Sequence, residues 1–344
     1  MNNLASFILS DANKINSQVN LSEFKNASLL VTGASGLVGQ YLASVFVNAA
    51  KDGIVLESLY LISRNPPPDY LLELTKQINA HWCIGDVGDA QFLDSLPDKL
   101  DFIVHAAGYG QPQRFLENEI ATITLNTLTT SHLLGKMKKS GKFIFISTSE
   151  IYSGSKQTPY QETTVGITNT DHPRACYIEG KRCGEAIVNA YKKQGYDAKS
   201  IRLALAYGPG VRIDDRRVMN EVIKKGLVDG KIELLDSGLS VRTYIYITDA
   251  IEFMLKILTA GKSNIYNLSG VSRTNIAEMA KLISEKANVP LTIPESANGL
   301  AGAPEDVSLS LERLLTEFPK NKFIDFDSGL NNVISWYRLL LAKS

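Results

Sequence analysis

The chain has 344 residues carrying 36 basic and 36 acidic side chains, a formal net charge of zero. That length supplies core for one large domain or two smaller ones, and the charge balance argues against nucleic acid or a membrane surface as an electrostatic partner. No apolar run reaches the length of a membrane span, and Met1-Asn2-Asn3 lacks the basic and apolar parts of a signal peptide, so a cytoplasmic protein is expected. Cys83, Cys176 and Cys183 form no CxxC pair and read as reduced thiols, and the four histidines show no metal-type spacing, so no metal is expected.

Residues 1–26 are polar with scattered apolar positions (Leu4, Phe7, Ile8, Leu9, Ile15). This reads as an amphipathic helical extension packed on the main body, the alternative being a frayed tail. Ser28–Thr32 is an apolar strand, and the glycine run Gly33-Ala34-Ser35-Gly36-Leu37-Val38-Gly39 follows at once, before a helical pattern to Ala50. Strand, glycine turn and helix in this order form a dinucleotide loop. Gly33 permits the tight turn, Gly36 lets the backbone approach the phosphates, and Gly39 lets the helix pack closely. Ser35, Leu37 and the helix N-terminus face the pyrophosphate.

The next strand, Ser58–Ser63, ends in Ser63-Arg64-Asn65, where an NAD-preferring unit carries an acid for the ribose 2′-hydroxyl. Ser63 and Arg64 suit a 2′-phosphate, or an adenine stack, so NAD is the expected cofactor with NADP left open. A third strand at His81–Ile84 runs into Asp86 and Val87, placed to meet adenine or to form a plain turn. A fourth, Asp101–His105, ends in Ala106-Ala107, whose small side chains let a cofactor lie on the backbone. A long helix is expected over 120–139, a fifth strand over Lys142–Ile146, and a sixth over Ser200–Ala206. Alternating strands and helices of this kind predict an α/β fold, a Rossmann-type doubly wound parallel sheet covering 27–207. Beyond Gly208-Pro209-Gly210 the rhythm loosens into a smaller C-terminal α/β substrate lobe, 208–344. Some of its segments return to the main sheet, and a Pro- and Gly-punctuated stretch runs from 290 to 304.

Tyr177 and Lys181 are spaced i, i+4 on a helix over 175–191 and so share a face. A phenol is a poor base at neutral pH, but a nearby ammonium and a positive nicotinamide both favour phenolate. Tyr177 can then take a proton from a hydroxyl while hydride leaves its carbon. Thr148 follows the fifth strand, where its hydroxyl can bond the reacting oxygen. Ser149 and Glu150 come next, and a carboxylate there points to chemistry beyond simple alcohol oxidation.

With these motifs the chain resembles the extended short-chain dehydrogenase/reductase family of nucleotide-sugar enzymes, over about residues 27–285. The resemblance rests on the glycine run, His105-Ala106-Ala107, Asn126, Ser147-Thr148-Ser149-Glu150-Ile151-Tyr152, Tyr177-x-x-x-Lys181, Tyr207-Gly208-Pro209 and Arg242-x-Tyr244-x-Tyr246-x-x-Asp249. Within that family it is similar to UDP-glucuronate decarboxylases, whose P-R-A-C-Y-x-E-G-K-R run is matched by Pro173 to Arg182, and to capsule- and O-antigen-locus relatives. The resemblance implies catalysis by Thr148, Glu150, Tyr177 and Lys181, with Asn126 at the cofactor. It also implies a UDP-sugar held by Ser149, Glu150, Arg174, Arg212 and Arg242. The implied reaction passes through a transient 4-keto sugar with no net redox change. Decarboxylation leads; a 4-epimerase or 4,6-dehydratase is the alternative, then a net NADP-dependent reductase, and last a non-catalytic dinucleotide sensor. Two positions depart from the decarboxylases: Leu205 stands where they have asparagine, and Gly210 where they have arginine, with Arg212 two residues on. A homodimer through helices near 114–139 and 175–194 is also implied.

Overall fold

The computed structural model describes residues 3–295 and 306–342; residues 296–304 of the Pro- and Gly-punctuated stretch lie outside them. The strands are β1 Ser28–Thr32, β2 Ser58–Ser63, β3 Ala80–Ile84, β4 Leu100–His105, β5 Met137–Thr148, β6 Asp197–Leu203, β7 Leu205–Tyr207, β8 Ile232–Glu233, β9 Val241–Tyr246, β10 Ile265–Leu268, β11 Ser272–Asn275 and β12 Leu291–Thr292. The main sheet is parallel with order β10-β6-β5-β4-β1-β2-β3. In β1, Leu29 and Val31 enter the core on one face while Leu30 enters the core on the other, as the two-residue period of a strand requires.

The helices are α1 Asn3–Asn16, α2 Leu37–Lys51, α3 Asp69–Thr75, α4 Ala90–Ser95, α5 Pro112–Glu117, α6 Glu119–Asn126, α7 Leu128–Gly135, α8 Ala175–Lys193, α9 Val218–Lys224, α10 Ile247–Ala260, α11 Ile276–Ala287, α12 Glu312–Glu317 and α13 Phe326–Leu341. On one face of the sheet α2 and α10 pack together, and α1 covers them from outside; α7 and α8 pack on the other face. Strand order reverses between β1 and β4, whose C-terminal ends therefore open a crevice, the position where such sheets bind ligands.

Residues 3–16 are thus a docked helix. Leu4, Ala5, Ile8, Leu9, Ala12 and Ile15 are buried, and so is Asp11, which accepts hydrogen bonds from Tyr41 (2.8 Å) and Tyr246 (2.6 Å). Asn16 of α1 donates to Val45 O of α2, and Asn48 of α2 donates to Leu9 O of α1, each at 3.0 Å.

Three local expectations are corrected. The long helix over 120–139 is two short ones, α6 and α7, because the chain departs from helical geometry at Thr127 (φ −115°, ψ −80°). The fifth strand starts earlier, at Met137, where it pairs with Leu100 across a register shift. The sixth is two strands: β6 ends in the main sheet at Leu203, and β7 joins a small sheet with β9 and β11. Beyond residue 207 the chain is divided in turn, since β10 returns to the main sheet beside β6. Among the described residues no helix is long and apolar enough to cross a membrane.

Candidate active site

At the crevice, Gly33 adopts φ +69°, which L side chains rarely adopt, and a Cβ there would lie 2.8 Å from the Ala106 carbonyl oxygen. The β1 and β4 ends are that close because His105 ties them together. Its Nε2–H donates to Leu125 O (2.9 Å), so its Nδ1 accepts from the Thr32 hydroxyl (2.8 Å), whose oxygen accepts from Ala107 N–H (3.0 Å). Burial pushes His105 down to about 4, so it is neutral. Gly36 caps α2 without a side chain, leaving first-turn N–H groups free for an anion. Buried Gln40 steadies the loop, donating to Ser35 O (2.9 Å) and Gly210 O (3.0 Å) and accepting from Tyr70 (2.7 Å).

From this turn a groove of about 450 Å³ runs along the strand ends. One end is walled by Ser63, Arg64, Asp86 and Val87, the middle by Ser35, Leu37, Ala106 and Ala107, and the other end by Thr148, Ser149, Glu150, Tyr177 and Lys181. Arg212 lies on its rim, ion-paired to Asp214 (2.8 Å). Glycine backbone, free N–H groups and a basic side chain at the β2 tip fit a dinucleotide's phosphates and adenosine, as the residues themselves require.

Asn126, expected at the cofactor, stands behind the wall, and so does Gly39, in the close-packing place its position in the glycine run implied. Gly39 packs against Ala34, where a Cβ would come within 2.4 Å of Ala34 Cα. Asn126 is buried against Gly180 of α8, its amide donating to Thr122 O (2.8 Å). Both shape the elements that carry the site and do not line the groove.

α8 presents the chemistry. Its Glu185 accepts from Ser147 of β5 (2.6 Å) and from Arg202 of β6 (2.7 Å), a buried pair that pins the helix one turn past Lys181. Tyr177 is half-buried at the groove wall beside Thr148, whose hydroxyl accepts from Glu150 N–H (3.2 Å). Phe115 of α5 stacks on the Tyr177 ring, centroids 4.6 Å apart and planes 4° from parallel. Lys181 Nζ donates to Ile146 O (2.6 Å) and stands 5.9 Å from the Tyr177 ring centroid.

Burial pushes Tyr177 up to about 12, Glu150 adds to the shift, and Thr148 and Arg174 oppose it. Burial also pushes Lys181 down to about 7, against the pull of Glu185. Removing the phenol from water outweighs the lowering by Thr148 and Arg174, and the positive charge of a nicotinamide would act in the same direction as theirs.

Beyond Tyr177, Arg174 grips Glu150 with two nitrogens, Nε to Oε2 at 2.8 Å, and its guanidinium lies 4.9 Å over Phe115. Arg242 feels both charges and is drawn down by burial; among the described residues it pairs with no carboxylate. Neither arginine lines the groove itself: Arg174 acts on it through Glu150, and Arg242 stands further into the small lobe. Sequence reasoning missed Phe115, Gln40 and Tyr109, a phenol at the groove's adenosine end. Phe115 was signalled only by being aromatic within a polar run.

A glycine cradle at the switch point of a doubly wound sheet, with a Tyr-Lys pair on its wall, defines a dinucleotide-dependent enzyme of the extended short-chain dehydrogenase/reductase type. The chain belongs to the NAD dependent epimerase/dehydratase family, whose model matches residues 29–269. It is 27% identical over 267 residues to UDP-glucuronic acid decarboxylase 1 of Xenopus tropicalis, covering 77% of this chain and 61% of that one. It is 28% identical to UDP-glucuronic acid decarboxylase 1 of Danio rerio, covering 92% of this chain and 74% of the relative. Among solved structures the fold is shared with a dTDP-glucose 4,6-dehydratase from Streptomyces venezuelae (TM-score 0.77, 20% identity, 90% of this chain and 97% of that one). It is also shared with a UDP-glucuronic acid 4-epimerase mutant from Bacillus cereus (TM-score 0.76, 21% identity, 91% and 99%).

Proposed function

We propose that this protein is a nucleotide-sugar enzyme working through a transient 4-keto sugar, with decarboxylation of UDP-glucuronate as its reaction. The observation that carries this is Tyr177 lining the groove together with Thr148, Lys181 and the Arg174-held carboxylate of Glu150. The decarboxylase relatives and the Pro173–Arg182 run support the choice of sugar.

Bound NAD supplies the hydride acceptor, the later hydride donor and a positive charge near the phenol. Tyr177 takes the proton of the sugar C4 hydroxyl as hydride leaves C4, and Thr148 holds the same oxygen. The C4 ketone lies β to the C6 carboxylate. The electron pair of the C5–C6 bond therefore moves toward the ketone oxygen as CO₂ departs, and a proton returns to C5. Tyr177 gives its proton back as hydride returns to C4, so no net oxidation occurs. Glu150, fixed by Arg174, borders the sugar's C4–C6 side, and Arg242, paired with no carboxylate among the described residues, offers its cation to a substrate phosphate.

Purified protein incubated with UDP-glucuronate is expected to release CO₂ and a UDP-pentose, identified by mass. An isomer of unchanged mass makes it an epimerase instead, and no reaction means another sugar. Tyr177→Phe is expected to lower turnover by about 10²–10⁴-fold while leaving the dinucleotide bound; turnover like the parent's would defeat the mechanism.

The chain pairs with a second copy in this reading, through the helices carrying Ile120 (82% exposed), Ile123 and Leu128 (70% exposed), apolar side chains facing outward beside α8. A monomeric mass in light scattering would refute it.

A further inference from the structure

The segment joining β7 to α9 is tied down at its root. Three successive carbonyls there are each held by a side chain from another element: Gly210 O by Gln40 of α2 (3.0 Å), Val211 O by Trp336 Nε1 of α13 (2.8 Å) and Arg212 O by the Tyr337 hydroxyl (3.4 Å). The Gln40 amide also donates to Ser35 O, so the root and the glycine loop share one anchor. Beyond the root, Arg212, Asp215 and Arg217 line the groove, and so do Gln111 and Arg114 at the start of α5. These two stretches meet through exposed side chains. Arg114 Nη2 stands 3.4 Å from Asp214, and Arg216 Nη1 donates to Gln113 Oε1 (2.9 Å). Gln113, Asp214 and Arg216 do not line the groove, so the bridge they form lies at its mouth, on the solvent side.

We propose that residues 212–217 form a strap that closes over the bound dinucleotide and latches onto α5, holding the nucleotide through a whole catalytic cycle. This rests on the reaction proposed above. With no net redox change, the hydride taken from C4 must return from the same nicotinamide, and a nucleotide that leaves midway strands a keto sugar. Each contact of the latch is an exposed pair and weak alone, which suits a closure that must open for exchange. The latch also reaches the chemistry. Next to Arg114 in α5 is Phe115, whose ring stacks on Tyr177, so the closed strap steadies the helix that packs on the base.

The test is the rate at which the full chain, loaded with radiolabelled NAD⁺, releases it into excess unlabelled NAD⁺. Gln113→Ala and Asp214→Asn each remove one latch contact and leave the groove lining intact. Each is expected to speed release about two- to fivefold, and both together about tenfold. The sign for Asp214→Asn is decisive. Removing a negative charge and freeing Arg212 would by electrostatics alone hold an anionic nucleotide longer, so only loss of the latch shortens its stay. With UDP-glucuronate the double variant is expected to shed NADH and a UDP-4-keto-pentose, to slow as turnover proceeds, and to regain its rate when NAD⁺ is added. Release at the parent's rate in the double variant, or slower release in Asp214→Asn, overturns the strap and leaves the enzymatic reading standing. Parent protein that binds no NAD⁺ overturns the reading on which the strap rests.

Discussion

The ring of Phe115 lies flat on that of Tyr177, and on its other contact the Arg174 guanidinium covers it. A phenylalanine from α5 thereby sets the orientation of the candidate base on α8, and it also touches Arg174, the residue that holds Glu150. Phe115→Ala is expected to lower kcat about 10–100-fold, the effect of a misplaced reacting group, with dinucleotide affinity unchanged. Phe115→Tyr, which keeps a ring, should recover most of it. Steady-state turnover and nucleotide titration on both variants check this, and unaltered kcat in the alanine variant refutes it.

Glu150 is turned by Arg174 into a fixed carboxylate. Arg174→Gln removes the charge and the fork together. It is expected to reduce kcat/KM at least about 10-fold, with the dinucleotide still bound, because a charged hydrogen-bonded partner is lost. Arg174→Lys, which keeps only the charge, should rescue part of the loss. Full activity in Arg174→Gln would show that Glu150 needs no anchor.

His105 makes stability pH-dependent in a defined window. Its folded-state value is about 4 against 6.5 for the free side chain. As pH falls from 6.5 toward 4 the unfolded chain takes up a proton that the folded chain refuses, so the stability present above pH 6.5 is lost through that range. The size is on the order of 3 kcal/mol. His105→Asn should be less stable at pH 7 and flatter between pH 6.5 and 4 than the parent. Urea unfolding at several pH values measures both, and parallel pH profiles would rule the assignment out.

Asp11 joins three elements: α1, Tyr41 of α2 and Tyr246 at the end of β9. Asn332 of α13 also donates to Tyr246 (2.9 Å). Asp11→Ala leaves two buried phenols short of an acceptor and is expected to destabilise the fold by about 2–5 kcal/mol. Asp11→Asn, which keeps an acceptor oxygen, should lose less. Chemical denaturation decides between them; an unshifted midpoint in Asp11→Ala would mean that α1 is dispensable for the helix carrying the glycine loop.

The glycine run, the strand rhythm and the Tyr177-Lys181 spacing were legible as residues, because turn geometry, the strand period and helical spacing are local properties of a chain. The extra layer had a local trace too. It lay in the spaced apolar positions of residues 1–26, which α1 packs against α2. Gly39 and Asn126 were recognised as special positions, but whether they meet a ligand or a neighbouring element depends on packing. Breaks such as that at Thr127 and the transfer of the chain from β6 to β7 were invisible for the same reason: they answer to partners far away in sequence.

Residue order by itself determined the fold class, the glycine turn and the shared face of phenol and ammonium. Only the tertiary structure decided that burial dominates the phenol, that Phe115 stacks on its ring, and that Arg174 holds Glu150. Desolvation, ring stacking and ion pairing act between groups brought together from distant parts of the chain, and spacing along one segment carries no record of them.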